Sequence, residues 1–144
     1  LIEECAAIEA FVALLDQEAQ ALINGDFTAL PAITKHKEEL VDRIVMLDHK
    51  REQCQMTLGW PTHRSGADAA AAAGGQRLQQ AWQALMECAA QAQERNHRNG
   101  VMVHTHLDFT RESIKVLRAN CQRLYGPDGK HMRGIGSGNS IASG

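Results

Sequence analysis

Seven histidines and four cysteines are the side chains of this chain best suited to hold a metal or attack a substrate. Their spacing favours neither role. His104 and His106 are two apart, so on a helix they point to different sides. No His-Glu-x-x-His occurs. Glu94-Arg95-Asn96-His97 matches the Glu-x-x-His of carboxylate di-iron bundles, but such a centre needs two of these motifs and two further inward glutamates. The sequence has one. Cys5, Cys54, Cys88 and Cys121 are far apart and form no Cys-x-x-Cys. Three of them, Cys5, Cys54 and Cys121, fall on apolar seams, where a thiol is a small hydrophobe. They read as buried free thiols of a reducing cytosol rather than disulfides or ligands. No Gly-x-Ser-x-Gly, phosphate loop or dinucleotide fingerprint is present. Asp16, Glu18, Asp42, Asp48 and Asp108 fall on charged faces with no convergent partner. The residues therefore predict no catalytic site, no metal and no cofactor, and the chain is not expected to be an enzyme.

Charge excludes other classes. The formal net charge is −2, so no global field attracts nucleic acid or an anionic membrane. The cations around Arg95, Arg98 and Arg111 are diluted by acids and lack interleaved aromatics, which argues against a nucleic-acid patch. No apolar run approaches the roughly 20 residues of a membrane span, and no signal peptide is visible. What is unusual is the polar run Arg95-Asn96-His97-Arg98-Asn99-Gly100 inside an otherwise helical stretch. A buried asparagine can fix register at a cost in stability, in which case Asn99→Leu raises thermal stability while loosening uniqueness. The alternative is a helix locally exposed there, or bent at Gly100.

That run belongs to the element on which the rest of the chain is organised. From Gly75 to Tyr125 there is no proline, and Gly100 is the internal glycine. Leu78, Trp82, Leu85, Ala89, Ala92, Asn96 and Asn99 alternate steps of four and three. Two steps of four pass through Val103 to Leu107, and the alternation resumes through Thr110, Ile114, Leu117, Cys121 and Leu124. This is a heptad seam with one stutter, and it predicts a helix of roughly 75 Å at 1.5 Å per residue. A first helix carries Leu1, Cys5, Ile8, Val12, Leu15, Ala19 and Leu22 and stops at Asn24-Gly25. Asp26 or Thr28 can cap a second helix, with Pro31 in its first turn. That helix carries Leu30, Ile33, Lys37, Leu40, Ile44, Leu47, Arg51, Cys54 and Leu58. Lys37 and Arg51 on this seam are expected to pack their stems and send their heads to solvent.

Gly59-Trp60-Pro61 ends the second helix. The stretch 62–75 reads as a mobile corner whose alanine run adds at most a helical turn, since it has no large side chain to anchor it. Residues 126–144 hold six of the twelve glycines and read as a flexible tail. The expected fold is all-α: an elongated antiparallel bundle of three long, coiled-coil-like helices (four if the last breaks at Gly100) over 1–125, followed by a glycine-rich tail over 126–144.

Three stretches in this frame resemble the FlgN family of flagellar type III export chaperones. The first is Phe11-Val12-Ala13-Leu14-Leu15-Asp16-Gln17-Glu18 with Leu22-Ile23-Asn24-Gly25-Asp26. The second runs from Leu30 through Lys37 to Leu40. The third is Asn96-x-x-Asn99-Gly100, then Leu124-Tyr125-Gly126 and Gly129. The resemblance implies a cytosolic chaperone that binds the hook-associated, hook–filament junction proteins, keeps them unpolymerised and delivers them to the membrane export gate. It implies that cargo is held largely by the C-terminal region, which points to Ile114, Leu117, Leu124 and the tail. It also implies that a tyrosine near the end of the last helix docks on the cytoplasmic part of the gate, and Tyr125 is the chain's one tyrosine. Asn96, Asn99 and Gly100 stand as bundle-register or family-motif positions. The glycine-rich segment 133–144 departs from the pattern by offering few anchors for cargo. A coiled-coil adaptor or structural helical subunit without chaperone activity shares every heptad and is the main rival reading. A metal-carrying helical enzyme is a distant third.

Overall fold

A computed structural model of the chain describes residues 1–125, with side chains through Arg123. The described residues are all-α, in four helices: α1 (Ile2–Asn24), α2 (Leu30–Thr57), α3 (Arg64–Ala73) and α4 (Gln76–Tyr125). They divide into two units, residues 1–103 and those from His104 onward. None of the helices is long and apolar enough to cross a membrane.

In the first unit, α1 stops where glycine permits it. Gly25 takes φ 69°, its N–H donates to Leu22 C=O at 3.3 Å, and the Asp26 N–H donates to Ala21 C=O at 2.9 Å. This paired bonding closes the last turn and needs the left-handed conformation that a Cβ disfavours. The same device ends α2 at Gly59, φ 78°, with the Trp60 N–H on Gln55 C=O at 2.9 Å. The start of α2 differs from expectation. Neither Asp26 nor Thr28 caps it: Thr28 Oγ1 donates to Asp26 Oδ1 at 2.7 Å, and Ala29 occupies the N-cap without a side-chain bond. Pro31 sits in the first turn, where its missing N–H leaves one fewer orphan donor.

The corner between α2 and α4 also differs. The alanine run forms a ten-residue helix, α3, and Ala67 and Ala71 are buried in the main core beside Ile8, Phe11, Leu15, Trp82 and Leu85. Small side chains anchor it because they allow close approach. Gly66 lies so near Pro61 that an added Cβ would stand 2.0 Å from the Pro61 carbonyl oxygen. His63 Nδ1 accepts from the Gly66 N–H at 3.3 Å and caps the helix, and Asp68 Oδ1 accepts from Trp82 Nε1 at 2.6 Å. Close packing of small side chains and the Trp82 hydrogen bond thus supply the anchorage that the sequence lacks in large apolar groups.

Cross-helix contacts set the directions. Glu18 meets Lys37 and Glu4 meets Arg51, so α1 and α2 are antiparallel. Cys5 lies beside Cys88, Asp16 pairs with Arg95 and Leu15 meets Asn99, so the first half of α4 runs parallel to α1. Trp82, Leu85, Ala92 and Asn99 are the buried positions of α4, spaced 3-7-7 on the predicted seam. The helix passes through Gly100 without a break. Two expectations about seam residues are corrected: Cys54 and Cys121 are exposed, not buried.

Two glycine substitutions should separate in sign. Gly66→Ala is expected to lower stability by about 1–3 kcal/mol, as overpacking against rigid backbone does. Gly100 has nothing within 4 Å of an added Cβ, so Gly100→Ala is expected to raise stability by about 0.5–1 kcal/mol. Urea unfolding of the two variants checks both.

Candidate functional site

Lys37, Asn96 and Asn99, three polar residues on predicted seams, meet at one carboxylate. Glu18 comes from α1 and is 8% exposed. Lys37 Nζ, from α2, donates to both of its oxygens at 3.0 Å. Asn99 Nδ2, from α4, donates to Glu18 Oε2 at 2.8 Å and to the Leu15 carbonyl at 2.7 Å. The Lys37 ammonium also reaches Asn96 Oδ1 at 3.2 Å. One turn away, Arg95 pairs with Asp16. Asn99 is 1% exposed whereas Asn96 lies at the exposed rim, so the two asparagines take different roles in one network. Gly100 follows directly on α4, half-buried.

A second junction lies two heptads away on both helices. Arg51 Nε donates to the buried Glu4 Oε1 at 3.3 Å, Nη1 donates to Gln55 Oε1 at 2.6 Å, and Nη2 pairs with Asp48. Its guanidinium lies 5.2 Å from the Trp82 ring centroid, a cation–π contact. Gln55 Nε2 continues to the Pro61 carbonyl at 3.0 Å. A groove of about 910 Å³ opens beside this junction, lined by Leu1, Leu47, Cys54, Leu58, Leu78 and Trp82 among others.

These contacts correct the sequence reading twice. Lys37 and Arg51 do not send their heads to solvent, because each is paired with an inward glutamate. Glu18, Asp16 and Asp48 do have convergent partners. The missed signal was arithmetic: Lys37 and Arg51 are fourteen apart, and so are Glu4 and Glu18. In an antiparallel helix pair, equal two-heptad spacings of opposite charge bring both pairs into register together. Neither junction places a nucleophile beside a base. Glu94 and His97 are exposed, as are His104 and His106.

In the second unit the described seam positions face solvent. Ile114 is 44% exposed and Leu117 62%, with Leu107, Phe109 and Val116 also exposed. Leu124 and Tyr125 belong to α4, but their side chains lie outside the described ones, and the tail 126–144 lies outside the described residues.

The profile of the FlgN protein family matches residues 1–133. The chain belongs to the FlgN family of flagellar export chaperones. Two flagella synthesis proteins FlgN of Yersinia enterocolitica are similar to it. One, from serotype O:8 / biotype 1B, is 26% identical over 137 residues, covering 93% of this chain and 87% of the relative. The other is 25% identical over 135 residues, covering 92% and 86%. No solved structure matches the chain. FlgN chaperones are not catalysts, which removes the metal-enzyme reading.

The geometry reverses the sign expected for Asn99→Leu. Leucine would remove a hydrogen bond to a charged, buried carboxylate, so the variant is expected to lose about 1.5–3 kcal/mol. Asn96→Leu at the rim is expected to shift stability by less than about 0.5 kcal/mol. Melting curves of the two single variants, with their oligomeric state, check the pair.

Proposed function

We propose that this FlgN-family chain binds the hook-associated junction proteins before export, prevents their premature assembly and delivers them to the flagellar type III export gate. The observation that supports this reading is the solvent-facing apolar face of residues 104–123. Leu107, Ile114 and Leu117 keep heptad spacing along one side of the helix there, while Phe109, 72% exposed, and Val116 lie on the opposite side. A helix that displays Leu107, Ile114 and Leu117 along one exposed side offers a partner an apolar stripe. Assembly proteins held back from polymerising present apolar, helix-prone ends, and an amphipathic segment would dock on such a face in the helix-in-groove manner. Binding is therefore assigned to Ile114, Leu117 and Leu124 with the segment beyond Gly126, and gate docking to Tyr125. An aromatic suits a docking contact because it brings large area with few torsions to freeze.

The roles are separable by mutation. Mixing the chain with the junction proteins and running gel filtration is expected to give a stable complex. Ile114→Asp with Leu117→Asp is expected to weaken it by at least about tenfold, in line with loss of interface anchors, without lowering the melting temperature, since both side chains face solvent. Truncation after Tyr125 is expected to weaken the complex as well. Tyr125→Ala is expected to keep the fold and the complex while losing pull-down by the cytoplasmic part of the gate. An adaptor without chaperone activity would form no complex with the junction proteins. Retained gate binding in Tyr125→Ala would refute the docking role.

A further inference from the structure

Three metal-capable side chains converge between α1 and the first half of α4, at a place neither polar junction uses. Cys5 and Glu9 stand one helical turn apart on α1, and Cys88 faces them from α4. Cys5 Sγ lies 3.6 Å from Cys88 Sγ and 3.8 Å from Glu9 Oε1. The three ligand atoms all lie within 4.8 Å of one another. Both thiols are half-buried against the main core, while the carboxylate is exposed and leaves the cluster open on one side.

The two distances from Cys5 Sγ match the edges of a coordination polyhedron. With zinc–sulfur bonds of about 2.3 Å at the tetrahedral angle, two sulfurs stand about 3.75 Å apart, and a sulfur and a carboxylate oxygen about 3.5 Å. Both values lie within a few tenths of an ångström of the separations found. We propose that Cys5, Glu9 and Cys88 form a binding site for a thiophilic divalent cation of the zinc type, with the fourth position open to water. Binding replaces two S–H bonds by two metal–sulfur bonds, releases two protons and changes no oxidation state. Two thiolates and one carboxylate then surround a dication, leaving one net negative charge at a solvent-facing site. The ion would staple the first turns of α1 to α4, next to Ile8 and Leu85 of the core.

The Cys5 thiol as it stands is protonated. Burial, and then the neighbouring Cys88, push Cys5 up to about 11 from an ordinary 9.0. A cation must displace that proton, so its affinity is expected to rise with pH across the neutral range.

The test uses the full chain, reduced with a phosphine and freed of metal by a chelator, and titrated with Co²⁺ as a spectroscopic stand-in for Zn²⁺. The expected result is one Co²⁺ per chain with a thiolate-to-cobalt charge-transfer band in the near ultraviolet, bleached by Zn²⁺. Cys5→Ser and Cys88→Ser, checked for retained helix by circular dichroism, are expected to lose the band. Glu9→Gln, on an exposed side chain, is expected to move the titration midpoint to higher Co²⁺. Cys54→Ser with Cys121→Ser is expected to keep the band. Zn²⁺ should also raise the melting temperature of the unmodified chain and not of Cys88→Ser. The proposal is overturned if no band forms, or if the band persists in both Cys5→Ser and Cys88→Ser. It is also overturned if the band follows the exposed Cys54 or Cys121. A Cys5–Cys88 disulfide that forms in a cytosol-like glutathione buffer and excludes the cation would overturn it too.

Discussion

The constraint that ties three helices of the first unit together is the Glu18 carboxylate, which lies nearly out of water and must be given partners there. An isolated carboxylate there would be costly, and the structure offsets the cost with donors from two other helices. Lys37 supplies charge from α2, and Asn99 supplies an N–H from α4 that is held in place by its second bond to the Leu15 carbonyl. Because the three partners come from three helices, sliding α1 or α2 by one turn would strand a buried charge, and sliding α4 would cost the carboxylate a donor. A uniform leucine seam has no such penalty: it would accept a shift of one heptad almost without loss. The polar junction therefore penalises a shifted register in a way that heptads alone do not.

The second junction repeats the logic with different chemistry. At Arg51 the cation is a planar fork that serves Glu4, Asp48 and Gln55 at once and still lies over the Trp82 ring. Lysine could not take that place, since it has no flat face and no fixed fork. At Lys37 a compact ammonium suits the bidentate approach to one carboxylate. Two junctions two heptads apart on α1 and α2 fix both the offset and the facing of the pair. Between them lie the purely apolar contacts of Ile8, Phe11 and Leu15 with Leu85 and Ala92. Asn99 is the last buried position of α4 among the described residues, and the large apolar side chains of residues 104–123 face solvent. The same seven-residue repeat thus serves burial in one stretch and display in the other.

The helices were legible because heptads, Gly25, Gly59 and Pro31 each act through local backbone physics. Their ends fall within two residues of the seam limits. α3 was not legible, because its anchorage is the smallness of Gly66, Ala67 and Ala71 and one hydrogen bond from Trp82, none of which shows in an apolar period. Asn99 could be singled out by its position on the seam, but the sign of its contribution could not, since that rests on Glu18, eighty-one residues away. The pairing of Cys5 with Cys88 is of the same kind. Seam membership placed Cys5, Cys54 and Cys121 alike, yet only the first is packed into the core region. A period says which face of a helix is apolar, not how far its neighbours extend to cover it.

The claim that a three-helix charge junction fixes the register is tested most directly by a double-mutant cycle on Glu18 and Lys37. Glu18→Leu, Lys37→Met and the double variant replace charge with apolar groups of similar reach, and urea unfolding gives the stability of each. Each single variant leaves a partner unpaired, while the double leaves no charge behind. The account predicts that the double variant loses less than the sum of the singles by about 1–3 kcal/mol. Losses that add to within about 0.5 kcal/mol would mean that the two residues act independently, and would contradict it.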